Sequence, residues 1–272
     1  MLINRAVLIS LLILSALPSI VKGQSQNQLG LQLGVSYYLG DLNETKQFQK
    51  NHTHFTYGFI HRLPLNARFA WKNSFQIGKL SGDDADSESS IKQNRNLNFQ
   101  TKLYEFSTQF EFNFLPYHSF VLNQYFSPYI FGGIGFFWIN PSTTLNGNEY
   151  QLRDYNTEGQ LKAYNKMQFA IPFGLGIKVK FSHRFMFSIE YGLRKTFTDY
   201  IDDVSTSYPD DPGNMGTVSQ ALSNRSLDNG NGQNDWGMQR GNSQRKDLYS
   251  ITSFSLLIRI GKNPNLCKYN TQ

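Results

Sequence analysis

The sequence predicts an all-β fold: an eight-stranded antiparallel transmembrane β-barrel with short periplasmic turns and long extracellular loops. Three observations carry this expectation. Every second residue from Met167 to Phe181 is apolar: Met167, Phe169, Ile171, Phe173, Leu175, Ile177, Val179 and Phe181. The residues between them, Gln168 to Lys180, are small or polar. Side chains alternate across a strand, so this run is a single two-faced strand of about 15 residues, against a usual length of about five or six. The same pattern recurs along the chain. The connectors between the recurrences alternate strictly between short and long, as they do in bacterial outer-membrane barrels. A soluble sandwich has no reason for that alternation.

The strands are expected as follows. The first is Leu29–Asp41, with Leu29, Leu31, Leu33, Val35, Tyr37 and Leu39 outward. His54–Leu63 sets Phe55, Tyr57, Phe59 and Leu63 on one face, and Arg68–Leu80 carries Phe69, Trp71, Phe75 and Ile77. Asn98–Leu115 opposes Tyr104, Phe106, Phe110, Phe112 and Phe114 to Glu105, Ser107, Gln109, Glu111 and Asn113. Tyr125–Ile139 faces Phe126, Ile130, Ile134, Phe136 and Trp138 to lipid. The Met167–Phe181 strand is sixth. Phe185–Phe197 opposes its aromatic and aliphatic face to Ser188, Glu190, Gly192 and Arg194, and Leu248–Gly261 puts Phe254, Leu256, Ile258 and Ile260 out. The short connectors are Pro64–Ala67, Pro116–Gln124 and Ser182–Arg184. The long ones are 42–53, 81–97, 140–165 and 199–247.

The ends fit a secreted chain in three parts. Residues 1–23 read as a signal peptide, with Arg5 before an apolar stretch Ala6–Ile20 and Val21-Lys22-Gly23 at the cleavage position. Residues 24–261 are the barrel and 262–272 a periplasmic C-terminal tail. Past residue 23 no apolar run reaches the roughly 18–20 residues of a membrane helix, so a spanning structure has to close on itself. The 22 Phe, 15 Tyr and 22 Gly suit this. The net charge of +6 falls to +4 without Arg5 and Lys22 and is scattered, which argues against nucleic acid as a partner. The single Cys267 excludes an internal disulfide framework and leaves a thiol able to pair with another chain.

Eight strands leave a lumen filled by side chains. The inward faces contribute Glu105, Glu111, Lys178, Glu190, Arg194 and Arg259, which have to be paired to be buried. Sequence does not give the pairs. Catalytic and metal chemistry find little purchase: no cofactor motif occurs, no Gly-x-Ser-x-Gly elbow is present, and no Ser–His–acid set is visible. His52 and His54 have a spacing suited to a metal but no assignable third ligand. Asp83, Asp84, Asp86 and Glu88 crowd one loop without the spacing of a calcium loop. His118 and His183 fall in turns, and the Gly/Asn-rich stretch 229–234 reads as a loop tip.

The least ordinary segment is 194–208, dense in Asp, Thr and Tyr. Asp199, Tyr200, Asp202 and Asp203, with Arg240 opposite, suit a hydrogen-bonded turn over the barrel mouth, with Asp199 pairing to Arg194 or Arg240. A docking surface suits the same residues.

These stretches also resemble a known family. Gly34–Asn43, Ser127–Gly135 with Asn140-Pro141, Thr157–Gln160, Ile171–Gly176, Thr198–Tyr208 and Gln239–Asn242 follow in the order found in the PorG-like outer-membrane β-barrel family of the Bacteroidota. The resemblance covers nearly the whole mature chain, and the Asp199–Thr206 core is its most specific part. It implies a non-enzymatic outer-membrane protein with both termini periplasmic. Its partners would be outer-membrane lipid and lipopolysaccharide, and the periplasmic ring proteins of a type IX secretion or gliding assembly. A surface adhesin and a lipid-modifying barrel enzyme are the rival functions, the second requiring a rim His beside a Ser or an acid.

Overall fold

In the computed structural model, residues 27–43, 46–117, 125–182, 184–226, 234 and 236–260 are described. The proposed signal peptide, the tail with Cys267, Lys262 and Lys268, most of the Pro116–Gln124 connector with His118, and His183 lie outside them.

Eight long strands form one closed meander: β1 (Gln28–Leu39), β2 (His54–Pro64), β3 (Phe69–Asp83), β4 (Asn98–Asn113), β5 (Phe126–Trp138), β8 (Met167–Lys180), β9 (Phe185–Thr196) and β10 (Leu248–Arg259). Each pairs antiparallel with the next, and β10 pairs back on β1. A short hairpin, β6 (Ser142–Leu145) and β7 (Asn148–Gln151), rises from the connector after β5 where the sequence suggested only loop. Two short helices, α1 (Ser90–Arg95) and α2 (Thr217–Ser223), lie in the second and fourth long connectors. All four long connectors emerge at one end of the barrel, the loop end, and the short turns at the other, the turn end.

The registers fix the barrel's shape. From Tyr37 they lead through Ser250, Leu193, Phe173, Gly132, Phe110, Trp71 and Leu63. Leu63 lies one residue beyond Arg62, the partner of Gln28, and so is level with Asn27, ten residues before the start at Tyr37. An offset of ten over eight strands, with strands about 4.8 Å apart and about 3.4 Å per residue, inclines the strands by roughly 40°. The 12 residues of β1 then rise about 30 Å, comparable with the apolar depth of a bilayer.

The two faces differ as the alternation requires. Outward side chains such as Leu31, Phe55, Phe59, Phe110, Leu175 and Leu256 are exposed, while inward Gln32, Gln76, Ser107, Glu111 and Lys178 are buried. This is the inverse of a soluble protein, whose charged residues are almost never fully buried. Tyr37 and Leu39 depart from their expected exposure. They are buried, Tyr37 because the first long connector folds back: the Phe48 ring lies 5.0 Å from that of Tyr37, whose hydroxyl meets that of Tyr191 at 3.0 Å. Leu63, also expected on the outer face, is likewise buried.

Candidate functional site

Inside the turn-end half, five charges interlock. Glu111 accepts from Arg62 Nε (3.1 Å) and Lys178 Nζ (2.6 Å). Glu190 accepts from Lys72 Nζ (2.6 Å), Arg62 Nη2 (3.3 Å) and the Tyr129 hydroxyl (2.6 Å). Lys178 also donates to Asn113 Oδ1 (2.7 Å). Phe131 fills the space beside them because the facing pair Gly174 and Gly192 carries no side chain, and a Cβ on either would meet its ring at 2.7–2.9 Å. Lys72 Nζ lies 4.2 Å from the Phe131 ring centroid. Higher up, Glu105 takes Arg194 Nε (3.0 Å) and the Tyr249 hydroxyl (2.8 Å). Arg259 is buried at the end of β10. Sequence reasoning named Glu105, Glu111, Lys178, Glu190 and Arg194 but missed Arg62 and Lys72. Parity would have found them: with Phe59 and Trp71 outward, Arg62 and Lys72 must point in. The lumen is thus packed and ion-paired at this level.

Above Glu105 the lumen changes character. Tyr38, Leu80, Phe99, Leu103, Phe137, Tyr249 and Ile251 form an apolar cluster with Leu42, Leu97, Leu152, Ile201, Val204 and Leu222 from the long connectors. The connectors therefore share a core with the barrel and close it as a compact cap. Burial of this apolar surface holds the loops where isolated hydrogen bonds would not.

The segment 199–208 organises that cap. Asp202 Oδ1 accepts from the Val204 amide (2.9 Å), and its Oδ2 lies 2.5 Å from the Tyr38 hydroxyl. The same hydroxyl is 2.7 Å from Asp247 Oδ1. One hydroxyl proton cannot serve two carboxylates. Burial first, then the neighbouring acids, pushes Asp202 and Asp247 well above the usual carboxylate range, the direction that favours a proton on this trio. Asp203 has φ of +67°, a left-handed conformation. It accepts from Thr157 Oγ1 (2.5 Å) and the Tyr164 hydroxyl (2.8 Å), and burial pushes it up to about 6 against the pull of Arg240. Arg240 is buried, donating to Glu158 Oε1 (3.1 Å), the Asp203 carbonyl (2.5 Å) and the Ser223 carbonyl (3.2 Å). Tyr200 stacks on Tyr164 at 4.8 Å.

The expected partner of Asp199 needs correction. It pairs with neither Arg194, which is taken by Glu105, nor Arg240. It accepts from Ser205 Oγ (2.8 Å) and sits 3.7 Å from Lys246 Nζ. Burial pushes its carboxyl up to about 6. Sequence proximity pointed to Arg194, but Arg194 points into the lumen while Asp199 has already left the strand.

The rim of β2 and β3 brings together what sequence did not. His52 lies between Ser81 Oγ (Nδ1, 2.7 Å) and Asp86 Oδ2 (Nε2, 2.7 Å), and His54 Nε2 is also 2.7 Å from Ser81 Oγ. A Ser–His–acid set therefore exists, although none is visible in the sequence, because His52 comes from the first long connector while Ser81 lies near the end of β3 and Asp86 just after it. Ser81 and His52 are only 7% and 9% exposed. The neighbouring recess of about 370 Å³ is lined by Asp86 but by neither of them. The arrangement clamps the start of β2 to the end of β3. The remaining loop acids are similarly engaged: Asp84 with Arg95 (2.6 Å), Glu88 with Lys46 (3.1 Å), and Asp83 with the Ala85 amide (2.9 Å). Among the described residues, no three His, Cys, Asp or Glu side chains converge as metal ligands would.

A family profile described as Domain of unknown function (DUF6089) matches residues 5–217. The chain belongs to that family. The match runs from the first residues through β9 into the cap segment and ends before β10. Among curated proteins none matches in sequence. Of solved structures, the chain is similar to Ail, the attachment invasion locus protein of Yersinia pestis, in complex with sucrose octasulfate. The identity is 11% over 87% of this chain and 97% of that one, with a TM-score of 0.39. Neisserial surface protein A is 7% identical over 86% and 97% (TM-score 0.42), and OprG of Pseudomonas aeruginosa 8% over 88% and 96% (TM-score 0.42). At such distances these likenesses extend no function to this chain.

Proposed function

We propose that this protein is an outer-membrane barrel of PorG-like type, oriented with its turn end in the periplasm. It acts there as a non-enzymatic scaffold joining the membrane to a periplasmic type IX secretion or gliding assembly. One observation supports the membrane assignment above others: a belt of exposed Leu, Ile and Phe surrounds a lumen of buried, ion-paired Arg, Lys and Glu. In water both faces are on the wrong side; in lipid both are on the right one. A filled lumen and a closed cap leave a partner only the rims, the lipid face and the tails. The scaffold role rests on the sequence resemblance. Gentle solubilisation and affinity purification of the tagged protein should recover periplasmic ring proteins. Recovery of none, with secretion intact in a deletion strain, would refute the role. Release of the protein as a soluble periplasmic species would refute the membrane assignment itself.

A lipid-modifying enzyme is favoured by one observation, the Ser81–His52–Asp86 chain. A fluorophosphonate probe separates the readings. The scaffold reading expects no labelling that depends on Ser81. Labelling abolished by Ser81→Ala, together with lipid deacylation lost in His52→Ala, would establish the enzyme instead.

A further inference from the structure

At the loop end, β3 and β4 place two cations directly against each other. Lys79 and Lys102 are cross-strand partners on the outward face. Like charges facing each other across a ladder destabilise it, and their immediate outward neighbours carry no charge: Ile77 and Ser81 on β3, Gln100 and Tyr104 on β4. Asp83, the next outward position on β3 after Ser81, accepts from the Ala85 amide. Lys79 Nζ is oriented by Gln100 Oε1 at 2.6 Å. One step towards the turn end, the adjacent row reads Ile77, Tyr104, Trp138 and Met167. There the Tyr104 and Trp138 rings meet edge-on at 5.7 Å, and a third cation, Lys166, lies 5.9 Å from the Trp138 ring. Aromatic side chains at such a level mark the boundary between acyl chains and headgroups. The β6–β7 hairpin overhangs this place and encloses a recess of about 450 Å³, lined among others by Lys79, Lys102, Trp138, Asn140 and Glu149.

We propose that this recess binds a phosphate of the phosphorylated glucosamine headgroup of an outer-leaflet glycolipid. Lys79 and Lys102 clamp the phosphate, and Trp138 and Tyr104 pack on the sugar and upper acyl carbons. The phosphate relieves the lysine pair's repulsion, and its depth matches the aromatic row beneath. Basic pockets against the lipid face recognise headgroups by the same chemistry. Glu149 is the one acid of the recess, and it is engaged by Ser142 Oγ at 2.7 Å. This inference rests on the membrane reading above and assigns it a specific lipid contact.

Native mass spectrometry of the detergent-purified full chain tests it with three probes: bisphosphorylated lipid A, dephosphorylated lipid A and inorganic phosphate. The expected result is a single lipid A adduct, weakened at least tenfold in Lys79→Gln/Lys102→Gln and restored in Lys79→Arg/Lys102→Arg. Dephosphorylated lipid A should bind as poorly as the glutamine variant binds lipid A, and Lys195→Gln, an outward lysine on β9, should bind as wild type does. Glu149→Gln should bind as well or better. Equal binding by the glutamine double variant, equal binding of dephosphorylated lipid A, full competition by equimolar inorganic phosphate, or an equal loss in Lys195→Gln would each overturn the proposal. Heat-modifiable gel mobility is read on the same samples. Its loss in wild type would count against the barrel in membrane, whereas retained mobility without the adduct would count against this site alone.

Discussion

Replacing Arg240 with Met should open the cap and leave the barrel standing. The guanidinium is buried and bonded to Glu158, to the Asp203 carbonyl and to the Ser223 carbonyl. Removing one partner of a buried ion pair typically costs about 3–5 kcal/mol, because the other charge is left uncompensated. Glu158 keeps its bonds from the Ser205 and Thr206 amides and the Thr206 hydroxyl, which places the loss at the lower end. About 3 kcal/mol corresponds to roughly a hundredfold change in the opening equilibrium. Hydrogen exchange at neutral pH reads that change at the cap amides of Tyr208, Arg240 and Gly241, which bond to loop carbonyls. Amides of β1 and β10 should keep their protection, and the folded barrel should keep its gel mobility. The loss should shrink in more acid solution, since Asp203 takes up a proton near pH 6. Cap protection unchanged within about threefold, or an equal loss in the barrel strands, would refute the assignment of Arg240 as the cap's central cation.

Three further outcomes follow from the same geometry. The cap should be more stable at pH 5 than at pH 8. Asp199 and Asp203 sit at about 6 when folded against 3.8 unfolded, so the folded cap holds protons more tightly, and its stability falls as pH rises through 6. For the fully buried Asp203 the difference between these two pH values is about 1.4 kcal/mol, measurable as a shift in denaturant midpoint reported by Trp236 with the other tryptophans replaced. Glu190→Gln should lower the temperature at which the folded gel band converts, since it leaves Lys72 and Arg62 to share Glu111, at a cost of about 3–5 kcal/mol, and adding Lys72→Met should recover part of it. Gly192→Leu should prevent barrel closure, because a side chain there occupies the place of the Phe131 ring, and the protein should run at its unfolded mobility without heating.

The alternation of side chains determined most of this molecule from sequence alone. A strand exposes its parity without knowing its neighbours, so the eight spanning strands, their outward faces and the inward position of Glu105, Glu111, Glu190, Lys178 and Arg194 are legible residue by residue. Connector lengths added the up-and-down order and separated loop end from turn end. Parity also implied Arg62 and Lys72, which lie on the same inward faces. Tertiary structure alone decided which charges meet. Glu190 joins Lys72 across 118 positions and Arg62 across 128, a consequence of closure and of a ten-residue stagger that local pattern does not encode. It also decided that Tyr37 and Leu39 are covered, that Asp199 turns to Ser205 and Lys246, and that Ser81, His52 and Asp86 converge. These residues sit at or near the ends of strands, where period-two alternation gives way to connectors whose path local pattern does not encode. The cap shows the same division: its Asp and Tyr content is visible in the chain, but the apolar core of Leu42, Leu97, Leu152, Ile201 and Leu222 that holds it over the mouth is gathered from four separate connectors.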